Sequence, residues 1–361
     1  MGAKAKWESG PKRWKILKMV GKATAVISLL LALNQVTGLV QEFRIHHREF
    51  WDAMKTGREQ VEREDYAAAY ESFKRASELD PIDRDALDME ADAAMLWLEN
   101  IYYIQEGQHF SDIVNPLLPV LYRARGHSTG PKAADLLAHI GWANFLRSRD
   151  FRSRRGAMPA GVSVEPNYQD ALRLDPNNPY AHAMWGHWIL WEYGELNAAL
   201  AHFSAALRSG RARPFVRHLQ LCSLYNSDGA DMHRELFRVA NEMRKNQESI
   251  TRGDRSRAFD ESIEFRLDHQ SELLQILNVV PRSEAEATYD WLSQGYEVQD
   301  EPFKSLRREF ITATLVEIEG KNGEAMSRYQ SLLTRARKAN QTSVIDLAND
   351  SLTRLSPSAI N

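Results

Sequence analysis

FWDAMKTGREQVEREDYAAAYESFKRASELDPID, residues 50–83, decides the fold. Tyr66, Ala69, Tyr70, Phe73 and Ala76 fall at i, i+3, i+4, i+7 and i+10, one face of an α-helix. Asp80-Pro81 then stops that helix, because the residue before a proline is pushed out of the α region. Ahead of it, the part of this stretch carrying Gly57 supplies the other helix of a pair. Small residues at the crossing points let the two helices approach, and Phe73 fills the space beside them. One such pair cannot bury its apolar stripe alone, so stacked neighbours are required.

The pattern returns further along. Leu196, Ala199, Leu200, Phe203, Ala206 and Leu207 form a second stripe, preceded by a helix over Tyr180–Tyr193 and a turn at Gly194. Ala325, Tyr329 and Leu332 repeat it after a turn at Gly320–Gly323. A broken copy holds Gly141, Tyr168, Ala171 and Pro176. Gly57 to Pro81 spans 24 residues and Gly141 to Pro176 spans 35, an insertion of 11 that FRSRRGAMPAGVSVEP supplies.

Gly57, Ala69, Phe73, Ala76 and Pro81 stand at the spacing of the tetratricopeptide repeat, and the chain resembles that family. The likeness is strongest at residues 50–83 and 177–210 and weaker at 134–176 and 305–338. Residues 84–130 and 211–300 read as helical with few family marks. The resemblance implies an all-α, right-handed α-solenoid of helical hairpins, with a concave face lined by the first helix of each pair.

Composition agrees with long helices: 19 Gly and 13 Pro in 361 residues are too few for a many-turned β fold. Cys222 is the single cysteine, so no intramolecular disulfide forms. The net charge of −3 hides a division. Residues 1–22 carry seven basic groups and Glu8, a net of +6, which leaves the rest of the chain at −9. An acidic body argues against nucleic-acid binding, which needs a basic face.

ATAVISLLLALNQVTGLVQ, residues 23–41, has no formal charge and the length of a single transmembrane helix. The basic flank before it places residues 1–22 in the cytoplasm and the body outside it, in the periplasm of a bacterium. A cleavable signal peptide shares this charge order, with Val36-Thr37-Gly38 as a tolerable cleavage site. A buried soluble helix is the third reading. Seven basic residues ahead of the run and its continuation past Gly38 favour the anchor.

The expected organisation is a basic tail at 1–22, a transmembrane helix at 23–41, and repeats over 42–230 with an insertion near 150–165. Residues 231–361 follow as helical hairpins, repeat-like near 305–338. The resemblance places Trp51, Met54 and Arg58 on the concave face of the first repeat. Tyr180, Ala183, His187 and Trp191 take those places in the third, and Trp142 and Phe145 in the broken copy. Aromatics with an Arg and a His suit a peptide or helix of a partner protein. The expected partner-binding residues are therefore Trp51, Arg58, Trp142, Tyr180, His187 and Trp191. Large aromatics at helical spacing are also core formers.

Other motifs carry less. His182 and His187 are five apart, not at the i, i+4 spacing of a helical zinc pair, so no metal site is expected. Arg208, Arg211, Arg213 and Arg217 form an arginine-dense stretch that suits an anionic ligand or pairs with nearby acids, and a second lies at Arg147–Arg155. GHSTGPK, residues 126–132, lacks the spacing of a phosphate loop and reads as a loop with Pro131 in the following first turn. No catalytic arrangement stands out, and no cofactor is expected. The expected function is a membrane-anchored interaction scaffold or assembly factor rather than an enzyme. A tethered sensor of a small or anionic ligand is the alternative.

Overall fold

The computed structural model describes residues 44–101, 109–153, 163–227, 229–268, 280–296 and 301–356. Side chains of 151–153, 263–268 and 301 are excepted. The described residues form 15 helices and no strand, so the protein is all-α. None of these helices is long and apolar enough to cross a membrane. The expected span at 23–41 lies outside the described residues, as does most of the inserted segment.

The chain divides into two compact units, Met1–Tyr102 and Tyr103–Asn361. In the first, α1 (residues 44–62), α2 (Tyr66–Leu79) and α3 (Arg84–Glu99) follow one another through tight turns. Asp65 caps α2 by accepting from the Ala68 amide at 3.2 Å, and Asp83 caps α3 by accepting from Ala86 at 2.8 Å. The predicted face of α2 is the buried one: Ala69, Tyr70, Phe73 and Ala76 all turn inward. Gly57 is the reason α1 comes so close. A Cβ there would sit 2.7 Å from the Phe73 ring, so only glycine lets the ring lie against the α1 backbone.

The second unit begins with α4 (Phe110–His127), α5 (Gly130–Ser153), α6 (Glu165–Leu174) and α7 (Pro179–Tyr193). It continues with α8 (Leu196–Arg208), α9 (Arg213–Tyr225), α10 (Ala230–Lys245) and α11 (Arg252–Asp268). The last four are α12 (Arg282–Ser293), α13 (Glu301–Ile318), α14 (Asn322–Lys338) and α15 (Thr342–Leu355). The principal packing joins each helix to its neighbour or next neighbour among these. Alternate helices α5, α7, α9 and α11 touch in succession, with α6, α8 and α10 beside them.

The glycine–aromatic contact of the first unit recurs here. A Cβ on Gly141 of α5 would lie 2.7 Å from the ring of Tyr168 on α6, so the 11-residue insertion leaves this contact intact. Gly186 of α7 similarly faces Ala199, His202 and Phe203 of α8. Phe203 and Tyr329 are fully buried, as their stripes predict. Turns are expected at Gly194 and Gly320–Gly323, and Gly194 (φ 68°) and Gly320 (φ 75°) make them in the left-handed region after α7 and α13. The Trp-rich α7 is buried on most sides, and Pro131 lies in the first turn of α5.

Candidate partner-binding site

Three of the six expected partner-binding residues stand open. Trp51 is 51% exposed on α1, and Arg58, two turns on, is exposed on the same face. The Trp51 indole N–H donates to His47 Nε2 at 3.1 Å, which fixes its ring along the helix. Arg58 makes no ion pair among the described residues. Trp191 is 40% exposed near the end of α7. Tyr180 is half-buried, its ring between His139 (centroids 4.8 Å) and Phe215 (5.7 Å).

Trp142 and His187 are placed differently from the groove expectation. Both are buried between α5 and α7, with ring centroids 5.2 Å apart, and Phe145 lies 5.4 Å from the His187 ring. Met54 and Ala183 are buried as well. The physical reason is local: α7 is flanked by α5, α6, α8 and α9, so most of its circumference is covered. Only the last turn, where Trp191 sits, emerges.

His187 Nδ1 lies 2.7 Å from Ser223 Oγ on α9, and the Ser223 hydroxyl also reaches the Leu219 carbonyl at 2.7 Å. With the single hydroxyl proton on Leu219, His187 carries hydrogen on Nδ1 and a bare lone pair on Nε2. That Nε2 is buried without a hydrogen-bond partner among the described residues. Burial, with the nearby Arg149 and His218 charges, pulls the imidazole down to about 3, so it is neutral at physiological pH.

Arg149 completes the exposed end of this seam. Its guanidinium lies 4.7 Å over the Trp191 ring and 5.0 Å over Phe110 of α4, a cation held between two aromatic rings. Among the described residues it has no hydrogen bond or ion pair. Asp150 beside it is engaged by the backbone N–H and hydroxyl of Ser111, both at 2.6 Å. Burial lowers the Arg149 pKa from the usual arginine value. Next to Trp191 a cleft of about 330 Å³ opens, lined by Leu190, Gly194, Asn226, Ser227 and Met232. A wider cleft of about 780 Å³ shares Gly194 and Met232 with it.

The arginine-dense stretch before α9 is largely neutralised. Arg211 Nη2 donates to both oxygens of Asp135 at 2.9 Å. Arg213 and the fully buried Arg217 converge on Glu248, with Arg213 Nη2 at 2.7 Å and Arg217 Nε at 2.9 Å. Arg217 also reaches Glu242 and, through Nη1, Gln220 at 2.9 Å. Burial opposes ionisation of Glu248, but the bonds from Arg217 and Arg213 outweigh it and hold the carboxyl at about 2. Arg208 is the exposed member without such a partner among the described residues.

Ser223 bonds His187, whereas Asp254 bonds His218 (2.7 Å), so the serine and the carboxylate engage different histidines. No group of three or more His, Cys, Asp or Glu side chains is placed to hold a metal ion among the described residues. Sequence reasoning did not find Arg149 as the partner of Trp191, although it marked the arginine-dense stretch containing it. Nothing in a periodic pattern says which ring a guanidinium will cover. No family model and no curated protein matches the chain.

Proposed function

We propose that the protein is a tetratricopeptide-like interaction scaffold. Its helical hairpins stack as an α-solenoid, and residues 23–41 tether them to a membrane with the body on the extracytoplasmic side. It takes a peptide or helix of a partner protein on the exposed parts of its first-helix faces. The observation that carries this reading is Trp191, exposed beside a cleft with the guanidinium of Arg149 over its ring, a cation that has no carboxylate partner among the described residues. On α1, Trp51 and Arg58 add an open indole and, two turns on, an exposed cation without an ion pair among the described residues. Such groups combine apolar contact area with a charge-assisted hydrogen bond, the usual means of holding an extended or helical segment. Tethering then raises the local concentration of scaffold at the membrane.

The test places a photo-crosslinking side chain at position 51 or 191 in native membranes, with position 328 on the exposed face of α14 as control. The expected result is a discrete adduct from 51 and a discrete adduct from 191, and none from 328. The double replacement Arg58→Ala, Trp191→Ala should abolish capture while the helical circular dichroism stays unchanged. Capture that survives the double variant rejects the groove. Protease access to intact and opened cells tests the tether and its sidedness. The alternative, an anionic-ligand site at Arg208–Arg217, has less support, because Asp135, Glu242 and Glu248 already occupy Arg211, Arg213 and Arg217.

A further inference from the structure

His182 has a histidine partner, though not His187. His202 of α8 faces it across the hairpin with Nδ1 to Nδ1 at 3.0 Å and ring centroids 5.2 Å apart. Gly186 makes this possible: a Cβ there would meet Ala199 O at 3.1 Å and His202 Cβ at 3.2 Å, so its absence lets α8 bring His202 in. On the far side of the ring, His182 Nε2 lies 3.0 Å from the Pro176 carbonyl. A carbonyl only accepts, so Nε2 carries the hydrogen and His182 Nδ1 is a lone pair aimed at His202. His202 Nδ1–H donates to it. The outer Nε2 of His202 is not sealed from solvent, so that proton can move there through water with no net release.

Both Nδ1 atoms then carry lone pairs 3.0 Å apart, and each ring turning off the line between them would aim the two at one point. With metal–nitrogen bonds of about 2.0–2.1 Å, a nitrogen–nitrogen separation of 3.0 Å subtends roughly 95° at the metal, whereas a tetrahedral edge would be about 3.3–3.4 Å. The observed spacing is the cis edge of a square-planar or octahedral complex, which suits late first-row cations with imidazole donors, copper foremost in affinity. The Pro176 carbonyl on the other ring nitrogen is the kind of outer partner that orients a ligating histidine. Trp185 packs on His202 with centroids 4.7 Å apart and forms one wall of the pair. Burial lowers the proton affinity of both imidazoles, leaving them available. Asp175 adds a favourable charge and Arg208 an opposing one.

We propose that His182 and His202 form a two-histidine site for a late divalent transition metal, Cu(II) foremost, with water filling its other equatorial positions. The site is independent of the partner-binding reading. It is tested on the full chain, stripped with chelator and titrated with Cu(II) against glycine as competitor. The expected result is one copper per chain with a two-nitrogen superhyperfine pattern in its electron paramagnetic resonance spectrum. His182→Gln and His202→Gln should each lose that species at the same glycine concentration. A native-protein measurement needs no variant: substoichiometric Cu(II) should broaden the imidazole nitrogen resonances of His182 and His202 before those of other histidines. Absence of binding, an unchanged spectrum in the double variant, or first broadening at His46 and His47 would overturn the proposal.

Discussion

The α5–α7 and α9–α11 stretches of the second unit are built from the same kind of helix yet held together by opposite chemistry. Between α5, α6 and α7 the contacts are apolar and close, with Tyr168 against Gly141 and Trp142 and Phe145 against His187. Around α9 they are ionic and buried. Arg217 is enclosed by Glu242, Glu248 and Gln220, and His218 meets Asp254, which Thr251 also bonds at 2.8 Å. An apolar seam is judged by volume and loses stability in proportion to the misfit. A buried ion network is judged by completeness, because one missing partner strands a charge away from water.

Arg217→Ala should therefore have the largest effect, a loss of about 3 kcal/mol in urea unfolding, since Glu248 loses its buried partner and is left with the part-exposed Arg213. A loss below 1 kcal/mol would erase the distinction between the two stretches.

Acid should separate them next. His187 is held at about 3, below its unfolded value of about 6.5. The unfolded chain then binds a proton that the folded one refuses, and stability falls as pH drops from about 6.5 towards 3. At pH 5 this residue accounts for a loss of roughly 2 kcal/mol relative to pH 7, and His187→Gln should flatten that part of the stability–pH curve. Glu248, held at about 2, acts in a lower window. Its contribution is present above the unfolded value of about 4.3 and is lost as pH falls through 2. Arg217→Ala should flatten only this lower part. Interchanged windows would contradict the assignment of the two chemistries.

Gly141→Ala comes third. The added carbon meets the Tyr168 ring at 2.7 Å, and overpacking of this kind costs about 1–3 kcal/mol, partly offset by alanine's better helix propensity. Thermal melting of the variant reads the difference, and an increase in stability would show that the ring moves freely. The smallest effect is expected for Arg328→Ala, whose exposed pair with Glu324 spans one turn of α14 at 2.8 Å. A change of a few tenths of a kcal/mol in urea is typical of such pairs, and it calibrates the buried network against the surface.

The two stretches also differ in how much the sequence discloses. Ala69, Phe73, Ala199 and Phe203 recur at helical spacing, and that period alone places them inside. Gly57 is marked only by the resemblance to the repeat family, and its contact with Phe73 is seen once α1 packs on α2. The ionic seam has no period. Arg217 and Glu248 are 31 residues apart, and the choice of Glu248 over other acids arises only once α9 and α10 have packed. The same holds for the candidate site. Trp191 and Trp51 were legible as aromatics on first helices, but burial of Trp142 and His187 depends on how many neighbours surround α7. His182 and His202 lie 20 residues apart on two helices, so only the hairpin's geometry pairs them.

Because each helix in the second unit leans mainly on those next to it in sequence, little depends on distant parts of the chain arriving first. A growing polypeptide can lay down one hairpin while the next is still being synthesised. The corollary concerns mechanical or thermal stress: opening can begin at a terminal hairpin and travel inward by short steps. Hydrogen exchange along this unit should form a gradient from its last helices towards its middle.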